Sequence, residues 1–214
     1  MSSLPMFPLG SVLFPHMPVA LRVFEERYLV MLARVLQTEP SEFGVVLIER
    51  GSEVGGGEQR FEVGTVARIA QLEASEGVVG LVGLGTRRIA VERWLDDEPH
   101  PLADVRELPE LSWDESLRPL LDQAEIVVRR TISRASEFVE LQWPADVELD
   151  DDPVRASWQL AGIAPLGEID QITLLRSTSV AQLLARVIDL TDAAGETFTA
   201  TWYAEEGDDP ELGA

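Results

Sequence analysis

Two histidines are the side chains of this 214-residue chain best suited to move protons at neutral pH, His16 in FPHMP and His100 in DDEPHP. Each could act as a general base or a metal ligand. Neither has a second histidine near it in sequence, so both read as structural or solvent-exposed residues. Cysteine is absent, which excludes a disulfide framework, a thiolate metal site and a cysteine nucleophile. Carboxylates gather at Glu25–Glu26, Asp96–Glu98 and Asp150–Asp152. The last two groups could approach a divalent cation, but they lack EF-hand spacing and read as solvated loops. Adjacent residues do not face each other on a helix, so Glu25 and Glu26 read as a helix-start charge and a partner for an arginine such as Arg27. No metal and no cofactor is expected.

All 17 basic residues are arginine. Without lysine there is no Walker phosphate loop, no Schiff base and no Ser–Lys dyad. Gly77, Gly80, Gly83 and Gly85 follow GxxGxxGxG rather than GxGxxG, and they lead into a strand rather than a helix. Bending or close backbone approach in a barrel explains them better than a dinucleotide. No GxSxG elbow occurs. The chain is therefore not expected to be an enzyme. Its formal net charge of −21 repels nucleic acid and anionic membrane surfaces. Arg87–Arg88 and Arg129–Arg130 read as solvated faces. No apolar run approaches the ~20 residues of a membrane span, and no signal-peptide order opens the chain, so a cytoplasmic location is expected.

The elements that would hold these residues fall into two halves. Residues 1–110 read as β-rich. Strands are expected at Leu4–Leu9, Val19–Val23, Phe43–Ile48, Glu62–Glu73, Gly77–Leu84, Arg88–Trp94 and Leu102–Leu108. Prolines at 5, 8, 15 and 18 trim the first two. One helix, Phe24–Leu36, carries the stripe Leu29, Leu32, Ala33, Leu36. Arg50–Gln59 is a glycine-rich loop. Six or seven short strands with one helix suggest a small closed or half-closed barrel. Residues 111–192 change to helical period. A helix is expected from about Ser116 to Leu141, and a second is opened by Asp152–Pro153 and carries Trp158 and Leu160. A short one covers Glu168–Arg176, and the last is opened by Ser179 with Gln182 and runs to Leu190. Residues 193–214 read as an acidic, partly disordered tail, in which Gly195–Tyr203 could add a short apolar segment before the acidic end at Glu205–Ala214. The fold class is α+β.

Five segments in order, LPMFPLGSVLFP, LRVFEERYLVML, VGTVARIAQLE, GLGTRRIAVERW and SWQLAGIAPLGEIDQITLLRSTSVAQLLARV, resemble the free-standing N-terminal, substrate-binding domain of Lon proteases. The resemblance covers roughly residues 4–191. It implies a PUA-like pseudo-barrel followed by a helical bundle, and a role in recognising unfolded or tagged polypeptide. The expected function is a non-catalytic module that binds extended polypeptide or a partner protein. Phe14, His16 and Met17 are the expected peptide contacts, with Phe24 a further candidate. The competing assignment puts Phe14, and still more Phe24, in the core. The alternatives are a small-molecule-binding or hydrolytic protein using a barrel pocket near His16 or Arg88, or a regulatory partner of a separate protease or ATPase.

Overall fold

The computed structural model describes residues 2–50, 59–75, 77–96 and 99–206. The first half contains β1 (Ser2–Leu9), β2 (Pro18–Val23), α1 (Glu26–Val35), β3 (Glu42–Arg50), β4 (Gln59–Ser75), β5 (Val78–Trp94) and β6 (Leu102–Glu107). A single 3₁₀ turn at Glu115–Leu117 leads into α2 (Arg118–Ala135), α3 (Pro153–Ile163), α4 (Glu168–Leu175) and α5 (Val180–Glu206). The α+β expectation holds: a six-stranded sheet is followed by four helices.

The strand order is β2-β5-β4-β3-β1-β6, and β6 also pairs with β5. The strands β5, β4, β3, β1 and β6 therefore close into a ring, with β2 attached outside it. Closure satisfies edges that an open sheet would leave bare. Within the ring β1 and β3 run parallel, and the other pairs are antiparallel. The expected break in β5 at Gly85–Arg87 is not there: Val78–Trp94 is one strand. It changes partner instead of stopping. Val79–Leu84 pairs with β2, and Ile89–Trp94 pairs with β6. Gly85, one of the glycines expected to allow bending or close backbone approach, lies at this changeover, where a Cβ would meet the Phe14 carbonyl.

Helix α1 buries Tyr28, Met31, Leu32 and Val35; of the expected stripe Leu32 is buried and Leu29 half-buried, while Ala33 and Leu36 are exposed. Both stripes have helical spacing. The aromatic one wins because Tyr28 stacks on Phe7 with ring centroids 4.0 Å apart, burying more apolar area. One apolar cluster runs from Phe7 and Phe43 in the barrel through Phe14 to Leu121, Leu160 and Leu184 in the helices. A smaller cluster, including Met6, Val66, Ile89 and Val105, fills another part of the barrel.

The cap signals mostly hold. Asp152 Oδ1 accepts from the N–H groups of Val154 at 3.0 Å and Arg155 at 2.9 Å, with Pro153 opening α3. Ser179 Oγ accepts from Gln182 N–H at 3.1 Å, but Gln182 Oε1 reaches Thr178 N–H rather than that of Ser179. Helix α2 stops at Ala135, short of Leu141, and Phe138 and Val139 lie exposed beyond it. Helix α5 runs past Leu190 to Glu206, through the first part of the expected tail. Packing continues past Leu190: Thr191 is buried, Arg130 Nη2 lies 2.7 Å from Asp192 Oδ1, and a Cβ on Gly195 would stand 3.5 Å from Thr131 Oγ1. The expected loop at 51–58 and the chain end at 207–214 lie outside the described residues.

Candidate binding cleft at the barrel–bundle seam

Phe14, Pro15, His16 and Met17 form a tight turn. Proline presets φ at the second position, His16 has φ of 63° at the third, and Met17 N–H donates to the Phe14 carbonyl at 3.3 Å. A left-handed third residue is the mark of a type II turn, which usually places Gly or Asn there. The turn is pinned to β5. His16 N–H donates to the Gly85 carbonyl at 2.8 Å, and Gly85 N–H donates to the Met17 carbonyl at 2.9 Å. Two residues thus oppose one, as in a β-bulge. Gly85 is required here because a Cβ would collide with the Phe14 carbonyl. Thr65 Oγ1 donates to the Leu13 carbonyl at 2.6 Å from β4.

This anchoring directs Phe14 and Met17 into the seam between barrel and bundle, where they are 2% and 7% exposed. Phe14 meets Trp158 of α3 at 6.1 Å between ring centroids. Met17 packs over Gly162, whose hydrogen leaves the space the thioether needs: a Cβ there would stand 2.7 Å from Met17 Cγ. Above them lies a cleft of about 300 Å³, walled by Val12, Val19 and Ala20 on one side and by Gln142, Trp143 and Gln171 on the other. It shares Gln142, Trp143, Gly162 and Gln171 with a second cleft of about 370 Å³ that extends toward Pro165 and Leu166. Together they make a groove of mixed lining, in which Val12, Val19, Trp143 and Leu166 stand among Ser11, Gln142, Gln171 and backbone polar groups, a composition that offers hydrogen bonds beside apolar contacts.

Arg88 closes another part of the seam. The sequence suggested a solvated face for it, yet it is 6% exposed. Its Nη1 donates to the carbonyls of Leu175 at 2.9 Å and Ser177 at 2.5 Å, and its Nη2 to that of Pro109 at 2.9 Å. The guanidinium also lies 4.9 Å from the Trp158 ring centroid. Burial pushes its pKa down, while the carbonyls at the end of α4, the negative end of a helix dipole, satisfy the charge. Arg87, one residue earlier and on the opposite face of β5, pairs instead with Glu42 at 2.7 Å and Glu107 at 2.6 Å. Strand alternation decides which arginine goes in. Arg129 is likewise a clamp: it bonds the carbonyls of Ala145 and Val147, holding the α2–α3 connection that carries Trp143. Arg88 is thus committed to backbone carbonyls.

The expected contact residues divide. Phe14 and Met17 floor the cleft, and His16 is outside its lining. Burial, then the positive charge of Arg155, push the His16 pKa below its ordinary value, while Asp150, Asp152 and Glu110 pull it up. Phe24, the residue judged more core-like than Phe14, is 58% exposed, whereas Phe14 is buried. Phe24 sits where β2 gives way to α1. His100 is 1% exposed and bridges α1 to the strand that follows it. Its Nδ1 faces the Pro101 carbonyl at 3.2 Å and its Nε2 faces Arg34 Nη1 at 3.3 Å, which assigns the proton to Nδ1. Asp150 and Asp152 serve turn and cap, and Glu25 pairs with Arg27 at 3.1 Å. Asp97 and Glu98 lie outside the described residues. Among the described residues no group of three or more His, Cys, Asp or Glu is placed to hold a metal ion, and no helix is long and apolar enough to cross a membrane. Trp143, Gln142 and Gln171 were not singled out from the sequence. The one available signal was a large aromatic, Trp143, inside an otherwise acidic connection.

A strand ring with one attached edge strand, backed by four helices and cleft at the seam, is the class of domain that the fold defines. The chain belongs to the ATP-dependent protease La (LON) substrate-binding domain family, which it matches over residues 3–193. It is 28% identical over 189 residues to the Lon protease of Escherichia coli K12, covering 85% of this chain and 23% of that one. To the Lon protease of Vibrio parahaemolyticus it is 25% identical over the same length. It thus spans about a quarter of these relatives. Among solved structures, a Lon N-terminal domain protein from Xanthomonas campestris is 30% identical, with a TM-score of 0.61, covering 86% of this chain and 98% of that one. The N-terminal domain of Mycobacterium avium complex Lon protease, 18% identical, shares the fold with a TM-score of 0.63, covering 89% and 98%.

Proposed function

We propose that this chain is a non-catalytic module that binds extended or unfolded polypeptide in the groove at the barrel–bundle seam, in the cytoplasm. The observation that carries this reading is the groove itself: Trp143 and Val12 wall it, Phe14 and Met17 floor it, and Gln142 and Gln171 lie along it. His16 contributes by fixing the turn that aims Phe14 and Met17. The family description as a substrate-binding domain, and the Lon proteases among its relatives, support a polypeptide ligand. The charge of −21 argues against nucleic acid or an anionic membrane as partner.

The test is fluorescence anisotropy of a labelled, chemically unfolded protein titrated with the chain. Binding is expected in the micromolar range. Trp143→Ala should weaken it about tenfold, as for a central aromatic anchor, with the thermal midpoint held within a few degrees. No binding by the unaltered chain at high-micromolar concentration would sink the reading.

A further inference from the structure

Among the described residues strand β2 has one partner. Its register with β5 pairs Val19 with Gly83 and Leu21 with Leu81. The bond from Gly85 N–H to the Met17 carbonyl fixes the parity: Val19, Leu21 and Val23 turn their backbone polar groups toward β5. Pro18, Ala20 and Arg22 must then turn theirs outward. Proline, with no N–H to give, sits at an outward position, as this parity demands. No strand pairs with that outer edge among the described residues. It presents the carbonyl of Pro18 and the N–H and carbonyl of both Ala20 and Arg22. The three residues are exposed, while Val19, Leu21 and Val23 turn inward. Pro18 and Arg22 are the residue types that guard an edge against indiscriminate pairing, but they leave Ala20 unguarded between them.

The edge is continuous with the cleft, since Pro18, Val19 and Ala20 form one of its walls and Trp143 stands in the other. A strand laid along β2 would enter the groove. The chain's charge of −21 selects that strand: a second copy or an acidic segment is repelled, and a basic one attracted.

Resting on the polypeptide-binding reading above, we infer that the ligand adds to the sheet as a strand along the outer edge of β2, and that it is a basic segment alternating with apolar residues. Backbone hydrogen bonds to Ala20 and Arg22 supply the register, and alternate side chains enter the cleft.

The probe is a fluorescein-labelled octapeptide of alternating arginine and valine, in three forms: unmodified, N-methylated at the arginines, and N-methylated at the valines. A strand shows alternate amides to its partner, so one methylated form should lose affinity about tenfold or more while the other binds nearly as the parent does. Ala20→Pro, at an outward-facing donor, should weaken the unmodified peptide about tenfold as well. A peptide with glutamate in place of arginine should not bind. If both methylated forms bind like the parent and Trp143→Ala still weakens them, strand addition is overturned and the cleft reading stands. If the peptide fails to bind but unfolded protein binds, the inference falls alone; if neither binds, both readings fall. A concentration-dependent dimer in sedimentation that Ala20→Pro dissolves would give the edge to a second copy and overturn the inference. The methylated peptides report on the unaltered chain, so the test survives a variant that fails to fold.

Discussion

The seam and the β2 edge flank the same turn, and they treat their polar groups in opposite ways. At the seam, Arg88 meets three carbonyls, Thr65 meets the Leu13 carbonyl, and Phe14 is closed over by Trp158. Along β2, the outward groups of Ala20 and Arg22 have no such partners among the described residues. The difference teaches where stability and binding are separable. A buried group left unpaired costs free energy of folding, whereas an edge in water loses nothing until a partner arrives. Substitutions in the seam should therefore be read by denaturation, and those at the edge by affinity.

The largest effect should come from Phe14→Ala. It removes a fully buried ring against Trp158 and should cost about 3–5 kcal/mol, measured by urea denaturation. A stable variant with weakened polypeptide binding would instead make Phe14 a contact residue and blur the comparison. Arg88→Met keeps an apolar stem near Trp158 but strands the carbonyls of Leu175, Ser177 and Pro109. It should cost about 3 kcal/mol, near 10 °C in thermal midpoint for a chain of this size. An unchanged midpoint would mean that Arg88 does not tie the halves together.

His16→Asn tests the rim, where seam and edge meet. Asn accepts the left-handed backbone that His16 occupies, so the turn should survive. The folded pKa of His16 lies below its ordinary value of 6.5, so below that pH the unfolded chain binds the proton first. The His16 contribution is therefore full above pH 6.5 and is lost as pH falls toward the lowered folded pKa. Denaturation midpoints between pH 7.5 and 5 should fall less steeply in the variant than in the unaltered chain. Equal slopes would remove His16 from the pH response. The smallest effect belongs to Phe24→Ser, just beyond β2. With Phe24 58% exposed, stability should move by no more than about 0.5 kcal/mol. A larger loss would show that the β2 end is more closed than its exposure indicates.

Much of the fold was legible because it follows from local rules. The change from a period of two to a helical period separates strands from helices, and Asp152–Pro153 marks a helix start wherever it falls. The candidate site was legible only in part. FPHMP is visible as a turn, and Phe14 and Met17 do reach the cleft. Trp143 comes from a stretch more than a hundred residues away, and only folding brings it opposite Val12. Two pairs of equals were also undecidable in one dimension. Arg87 and Arg88 are identical residues whose fates depend on which face of β5 the bundle covers. Phe14 and Phe24 are identical rings whose burial depends on whether Trp158 stands nearby.

The sequence by itself determined what chemistry is denied to this chain, since missing lysine and cysteine side chains cannot be supplied by any fold. It also determined the α+β order and the position of the proline turn, because backbone preferences act over a few residues. Tertiary structure alone decided that β5 would change partner along its length, that β2 would keep one edge unpaired among the described residues, and that a groove would remain at the seam. Those depend on ring closure and on contacts between residues far apart in the chain. Their free energies belong to pairs of distant groups and are written in no single segment.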